Sequence, residues 1–323
     1  MAKNKALLKA SAAKEDEFYT QLSDIEKELR HYKEHFKGKT VFCNCDDPET
    51  SDFWRFFSLN FSVLELKKLI STHYEIDKPS YKLEYSMLPD TNGQYTLQII
   101  QTKLKQNGDF RSPECVEILE QADIVVTNPP FSLFREYIAQ LIKYQKKFVI
   151  IGNQNCVSYK EIFPLIKDNQ IWLGYYNGNM EFKVPDYYEP RKTRYWVDEN
   201  GQKWRSMGNI CWFTNLDIEK RHENIILYRT YNNKDYPHYD NYDGIDVGTI
   251  RDIPIDYNGA MGVPVTFLNY YNPEQFEIIG MGTGDNAKKI GITKNYRGRT
   301  DLAFTINGKS KCPYNRIIIR RLQ

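Results

Sequence analysis

Residues 123–131 read Asp-Ile-Val-Val-Thr-Asn-Pro-Pro-Phe, and the fold class turns on them. Ile124, Val125 and Val126 form a short apolar run, the pattern of a strand covered on both faces in a parallel sheet. Two prolines then fix φ at Pro129 and Pro130, and Pro129 drives Asn128 out of the helical region. Downstream, Phe134, Tyr137, Ile138, Leu141 and Ile142 share one helical stripe within Ser132–Lys146. A second apolar run, Lys147–Gly152, follows at once, so the helix crosses between two parallel strands.

Working outward, the same rhythm appears upstream. A helix from Ser23 carries Ile25, Leu29, Tyr32 and Phe36 and closes at Gly38. Strand Thr40–Cys43, a helix bearing Phe53, Trp54, Phe56, Phe57 and Phe61, and strand Lys68–Tyr74 then predict a parallel βαβ unit. Tyr81–Met87 and Tyr95–Thr102 flank the turn formers Pro89–Gly93, which predicts a hairpin insertion near 79–104. A helix over Ser112–Gln121 leads back to the opening strand. Beyond about residue 170, short strands (Ile171–Tyr175, Met180–Val184, Asn209–Asn215, Val263–Leu268, Arg316–Arg320) alternate with loops rich in Tyr, Asn, Asp and Gly. The expectation is an α/β protein with a Rossmann-like sheet, mixed but mostly parallel. Residues 1–170 would form its core, and 171–323 would add the remaining core strands and an irregular β-rich region.

In an open parallel sheet, ligands sit beyond the carboxyl ends of the strands, which is where Asn128–Phe131 falls. The stiffened backbone presents the Asn128 side-chain oxygen and the Pro129 carbonyl as adjacent acceptors, with the Phe131 ring beside them. Adenine's amino nitrogen is a poor nucleophile because its lone pair is delocalised into the ring. Two acceptors on its N–H bonds would favour a pyramidal nitrogen and localise that pair, while a stacked aromatic ring holds the base. An adenine in a duplex would have to be flipped out to reach such a pocket. The same tetrapeptide also serves as a plain strand-to-helix junction with proline in the first turn.

Composition sets outer bounds. The 323 residues suffice for one large domain or a domain with an appendage. Net charge is +2, so nucleic-acid binding would need local rather than global basicity. The 24 tyrosines suit surfaces that stack on rings, and they equally suit a compositional bias. No apolar run approaches the roughly 20 residues of a membrane span, and Met1–Lys14 lacks a signal-peptide core. Cys43, Cys45, Cys115, Cys156, Cys211 and Cys312 are scattered, with no zinc-type pairing, which suits reduced thiols, no metal and a cytoplasmic setting.

Taken together, these segments resemble the N6-adenine DNA methyltransferases, whose motif is Asp/Asn/Ser-Pro-Pro-Tyr/Phe after the fourth strand. Cys43–Pro48, Gly108–Ser112, Thr127–Phe134, Asp256–Pro264 and Asn272–Phe276 are similar to the EcoRI-type modification methylases in particular. Asp16-Glu17-Phe18-Tyr19-Thr20, ahead of the first strand, resembles the donor-binding motif of the N6-adenine DNA methyltransferases. The resemblance implies a class I methyltransferase fold, S-adenosylmethionine as donor and double-stranded DNA as substrate. It further implies a restriction–modification or phage setting, with a cognate endonuclease acting on the same site without a stable complex. Asn128, Pro129, Pro130 and Phe131 would be catalytic. Phe18, Tyr19 and Thr20 would cover the donor's methionine part, Asp109 would accept from its adenine amino group, and Phe110 would lie against that ring. Asp109 would alternatively cap the helix region at Ser112. Most methyltransferases have a Gly-rich turn after the first strand, whereas Cys43–Pro48 has no glycine. Asn44, Asp46 and Asp47 are therefore all candidates there, and Glu75 either grips the ribose or that acid is missing.

DNA would be held by basic clusters. Lys288, Lys289, Lys294, Arg297 and Arg299 surround Tyr296 with no acid between them. Arg191, Lys192, Arg194, Lys203 and Arg205 interleave with Tyr195, Trp196 and Trp204, and the turn Asp198–Gly201 predicts a hairpin. Arg320 and Arg321 add a weaker pair. Solvated surface loops explain either cluster equally simply. Two other activities share the Asn-Pro-Pro-Phe pattern, methylation of RNA and of a protein glutamine, and a catalytically silent DNA-binding module is a third alternative.

Overall fold

The computed structural model describes residues 18–75 and 79–322. The Lys- and Ala-rich start and the Asp16-Glu17 half of the donor motif lie outside the described residues. The chain divides into two compact units, one running to Cys156 and resuming over Gly174–Leu216, the other comprising Val157–Leu173 and Asp217–Gln323.

The first unit is built on one sheet. Its strands are β1 (Tyr19–Thr20), β2 (Thr40–Cys43), β3 (Lys68–Thr72), β4 (Tyr81–Pro89), β5 (Tyr95–Lys103), β6 (Ile124–Thr127), β7 (Lys147–Asn153), β8 (Trp172–Lys183), β9 (Tyr195–Val197) and β10 (Lys203–Thr214). They lie in the order β1-β8-β10-β7-β6-β2-β3-β4-β5, with β9 on β10. Strands β3, β2, β6 and β7 are mutually parallel, and β2 and β6 are buried along their whole length. Such strands carry apolar side chains on both faces because helices cover both. Both flanks are antiparallel: β10 runs against β7, and the β4–β5 hairpin continues the sheet from β3. The hairpin at 79–104 thus extends the central sheet.

Among the described residues, four helices of two turns or more belong to this unit: α1 (Leu22–Leu29), α2 (Asp52–Leu59), α3 (Pro113–Gln121) and α4 (Phe134–Lys143). Ser51 caps α2 by accepting from Phe53 N–H, and Ser112 caps α3 ahead of Pro113. In α4 the buried residues are Phe134, Tyr137, Ile138 and Leu141, the stripe expected from sequence. The helix predicted to run unbroken from Ser23 to Phe36 tightens into a 3-10 turn at Arg30–Tyr32 before a last helical turn, Lys33–Phe36. The two short strands expected around 171–184 are one strand, β8, that passes through Gly178.

The second unit holds a four-stranded sheet, β11 (Ile245–Asp246), β12 (Met261–Pro264), β16 (Arg316–Arg321) and β13 (Phe276–Met281), in that order. A hairpin of β14 (Phe304–Ile306) and β15 (Lys309–Lys311) and two short helices, α5 (Phe163–Lys167) and α6 (Gly284–Lys289), complete it. One core cluster gathers Tyr239, Ala287, Ile292, Leu302, Phe304 and Ile318. Arg316 pairs with Asp246 through Nε at 2.8 Å and Nη2 at 3.2 Å. The strand expected over Val263–Leu268 is corrected. It ends at Pro264, whose nitrogen has no hydrogen to donate, and Val265–Asn269 forms a 3-10 turn that buries Phe267 and Leu268.

Candidate active site

Because β2, β3, β6 and β7 are parallel, the residues that follow them share one edge of the sheet. Asn44–Pro48 follows β2, His73–Glu75 follows β3, Asn128–Phe131 follows β6 and Gln154 follows β7. This is the edge where an open α/β sheet binds ligands.

Asn128 is buried and donates three hydrogen bonds from two atoms. Its backbone N–H donates to Asp46 Oδ2 at 3.3 Å, and its Nδ2 donates to the Phe18 carbonyl at 2.7 Å and to Thr20 Oγ1 at 3.2 Å. Its remaining polar side-chain atom, Oδ1, is buried without a hydrogen-bond partner. A buried acceptor left unpaired costs free energy, which a ligand N–H would recover. Around it stand aromatic rings. Phe131 stacks on Phe18 at 5.5 Å, and Phe182 approaches Phe18 at 5.5 Å and Phe131 at 6.4 Å. Tyr188 meets Phe18 edge-on at 6.0 Å. Strand β8 brings Phe182 there by pairing with β1, where Thr20 lies opposite Phe182. Pro129 is buried and Pro130 half-buried beside them.

The glycine-free turn after β2 is organised by its side chains. Asn44 Oδ1 accepts from the Tyr137 hydroxyl of α4, while Asn44 Nδ2 is buried with no partner. Asp46 accepts from the Thr127 hydroxyl and from Ser51 Oγ at 3.0 Å. Burial pushes its carboxyl up to about 7, against the opposing pull of the Thr127, Ser51 and Asn128 donors. Asp47 closes the turn, its Oδ1 accepting from Glu49 N–H at 3.0 Å, and its Oδ2 lies 3.7 Å from His73 Nε2. Glu75 approaches the same His73 nitrogen at 3.9 Å.

Further along this edge, Gly108 sits at φ +80°, and a Cβ there would collide with the His73 carbonyl, so glycine is required. Asp109 is gripped by Arg111, through Nε at 2.8 Å and Nη2 at 2.6 Å. Burial works to raise its carboxyl, but the Arg111 guanidinium and N–H outweigh it and hold the group below the ordinary range. The helix at Ser112 is capped by Ser112 itself, so the Asp109 side chain does not cap it. Phe110 is buried edge-on against Tyr137 at 5.0 Å.

The family described as "Adenine-specific methyltransferase EcoRI" matches residues 6–322. The chain belongs to this EcoRI-type family. It is 48% identical to the Type II methyltransferase M.EcoRI of Escherichia coli, with 100% of this chain and 98% of that protein aligned. It is 42% identical to M.MgeORF184P of Mycoplasma genitalium and 38% identical to M.MpnI of Mycoplasma pneumoniae, both Type II methyltransferases aligned over 98% of each chain. No solved structure matches the chain. The protein is therefore an adenine-specific DNA methyltransferase with a Rossmann-like sheet, and its reaction requires a methyl donor.

In this EcoRI-type enzyme the structure brings Phe18, Thr20, Asp46, Asn128 and Phe131 into one contact network. Asn44, Asp47, Asp109 and Phe110 line the same edge. Asp46, expected as a donor ligand, has both oxygens engaged within the protein. Phe182, Tyr188 and Tyr137 were not singled out by sequence for this site. Tyr137 reads as part of the α4 stripe, and Phe182 reaches Phe18 only through a strand pairing about 160 residues apart in sequence.

The basic clusters are surface features, each within its own unit. Strands β9 and β10 form the expected hairpin, in which Trp196 and Trp204 stack with planes 2° apart. There Arg205 donates to the Thr193 and Arg194 carbonyls, and Lys203 donates to those of Asp186 and Tyr188. Arg191 and Arg194 are exposed, with Arg191 over the Tyr188 ring at 5.7 Å. In the other unit, Lys288 pairs with Asp285 at 2.8 Å, while Lys289, Lys294, Arg297 and Arg299 are exposed. Among the described residues no helix is long and apolar enough to cross a membrane, and no cluster of His, Cys, Asp and Glu is arranged for a metal ion.

Proposed function

We propose that the enzyme transfers a methyl group from S-adenosylmethionine to N6 of an adenine flipped out of duplex DNA, within a restriction–modification or phage setting. The observation that carries this reading is the unpartnered Asn128 Oδ1, buried at the carboxyl end of β6 beside the Phe131 ring. An adenine N–H would supply the missing partner, and acceptance at Oδ1 and at the Pro129 carbonyl would draw the nitrogen lone pair out of conjugation. Phe131 would hold the base by stacking.

The donor fits the neighbouring edge. Asn44 Nδ2 is a buried donor without a partner, and Asp47 and Glu75 flank His73 where ribose hydroxyls would be gripped. Asp109 and Phe110 offer an acceptor and an apolar face to a purine. Bound there, the donor supplies an electrophilic methyl on sulfonium sulfur. The protein contributes orientation and fixed dipoles.

The two basic clusters would hold DNA phosphates, and a cognate endonuclease would act on the same site without a stable complex. The test is transfer of a tritiated methyl to duplex DNA, RNA and protein by the full chain and by Asn128→Ala. Labelling of DNA at adenine that vanishes in Asn128→Ala is expected. Labelling of protein or RNA alone would overturn the reading.

A further inference from the structure

Two residues that the family resemblance gives to the donor are turned toward Asn128 instead. Asp46 is 9% exposed, and its Oδ2 accepts from both the Thr127 hydroxyl and the Asn128 backbone N–H. Its Oδ1 accepts from Ser51 Oγ at the start of α2. The Thr127 hydroxyl in turn accepts from Cys45 N–H at 3.2 Å. The carboxylate thereby ties the end of β2 to the end of β6, a link that a glycine turn has no side chain to make.

On the far side, Thr20 is 3% exposed, and its Oγ1 accepts from Asn128 Nδ2. A carboxamide has a donating end and an accepting end, and the two are nearly the same shape. Only the oxygen can accept from an amino group. With Nδ2 engaged by Thr20 and by the Phe18 carbonyl, Oδ1 is the end left without a protein partner. The Phe18 carbonyl can only accept, so it sets the sense of the amide, while the Thr20 hydroxyl takes the second Nδ2 hydrogen and holds the amide in place.

We infer that Asp46 and Thr20 are positioning residues for Asn128, the first fixing its backbone and the second holding its oriented amide in place, and that neither is a ligand of the methyl donor. This rests on Asn128 being the group that accepts from adenine. A donor ligand and a positioning residue leave different kinetic traces. Loss of a ligand raises the donor's KM and Kd, whereas loss of positioning lowers kcat with donor binding unchanged.

The experiment measures kcat and donor KM on duplex DNA, and donor Kd without DNA, for the full chain and for Thr20→Val, Thr20→Ser, Asp46→Asn and Asn128→Ala. Thermal midpoints confirm that each variant is folded. Thr20→Val is expected to lower kcat about 10-fold, the scale of one lost hydrogen bond, with donor Kd changed less than about twofold, and Thr20→Ser is expected to restore kcat. Asp46→Asn, which keeps an oxygen for Thr127 and Asn128, is expected to leave donor Kd unchanged and to lower kcat only a fewfold. A rise of 10-fold or more in donor Kd with kcat intact, in either variant, would overturn the inference. Unchanged kcat and Kd in Thr20→Val would do the same. If Asn128→Ala keeps its kcat, the reading of Asn128 itself fails; if it is inactive while Thr20→Val is normal, only the positioning claim fails.

Discussion

The rings of Phe18 and Phe131 lie 5.5 Å apart with their planes inclined by 27°, and the Phe18 carbonyl accepts from the Asn128 amide. Phe18 therefore covers one face of the ring that adenine would stack on, while its carbonyl orients the amide that adenine would bond. One short segment ahead of β2 serves both the aromatic wall and the acceptor.

Truncation of Phe131 removes the stacking surface and leaves the acceptor in place. Stacking contributes roughly 1–3 kcal/mol per base, so Phe131→Ala is expected to lower kcat/KM for DNA by about 10- to 100-fold, while Phe131→Tyr stays near wild type. Single-turnover methylation of a duplex, with 2-aminopurine at the target position reporting extrusion, checks this. Equal activity in Phe131→Ala would show that the ring does not hold the base.

Asp46 links the site to stability. Its carboxyl is raised by burial to about 7 in the folded protein, whereas in the unfolded chain it titrates at about 4. Between those values the folded state holds a proton that the unfolded state has released, so this group's contribution to stability falls as pH rises through that window and is level above it. Asp46→Asn removes the titration. The thermal midpoint of Asp46→Asn minus that of wild type is expected to be more positive at pH 8 than at pH 5, and a pH-independent difference would contradict the shift.

The pieces legible in the sequence were those set by local pattern. The apolar run of β6, the proline pair, the α4 stripe and the turn formers at Pro89–Gly93 and Asp198–Gly201 all declare themselves within about ten residues. What stayed hidden depends on partners far apart in the chain. The β4–β5 hairpin reads as an excursion because nothing local states that β4 pairs with β3. The hydrogen bond from Thr127 to Asp46, in the turn after β2, is not legible because it spans 81 positions. Val263–Leu268 reads as one strand because its apolar residues suit one, but Pro264 within it has no N–H to carry the ladder further.

Glu28 offers a test of how the edge of the sheet is held. It is buried on α1 and accepts from the Tyr32 hydroxyl at 2.7 Å, from Tyr175 N–H at 2.9 Å and from Tyr176 N–H at 2.8 Å. A Cβ on Gly174 would fall on the Glu28 carboxylate and within 2.9 Å of Trp212 Cβ, so the close approach of β8 requires glycine there. Glu28→Ala strands three donors and is expected to destabilise the fold by about 3 kcal/mol, and Gly174→Ala by about 1–3 kcal/mol through overpacking. Urea midpoints check both, and a loss below about 0.5 kcal/mol in each would mean that the contact is not made in solution.

The basic residues divide by what their side chains already do. Arg205 donates to the Thr193 and Arg194 carbonyls, so it braces its own loop. Arg297 and Arg299 project from a turn closed by Asn295, whose Oδ1 accepts from Arg297 N–H at 2.8 Å and whose N–H donates to the Arg299 carbonyl at 2.8 Å. Neither arginine is buried, and the turn holds their backbones in register. A phosphate contact releases counterions, so each one lost flattens the dependence of log K on log salt by about 0.9. Arg297→Ala with Arg299→Ala is expected to weaken binding to any duplex and to flatten that slope by about 1–2, leaving preference for the target sequence intact. Arg205→Ala is expected to leave the slope unchanged and to lower the thermal midpoint. Fluorescence anisotropy across a salt series measures both. An unchanged slope in the Arg297/Arg299 double variant would remove this turn from the DNA-binding surface.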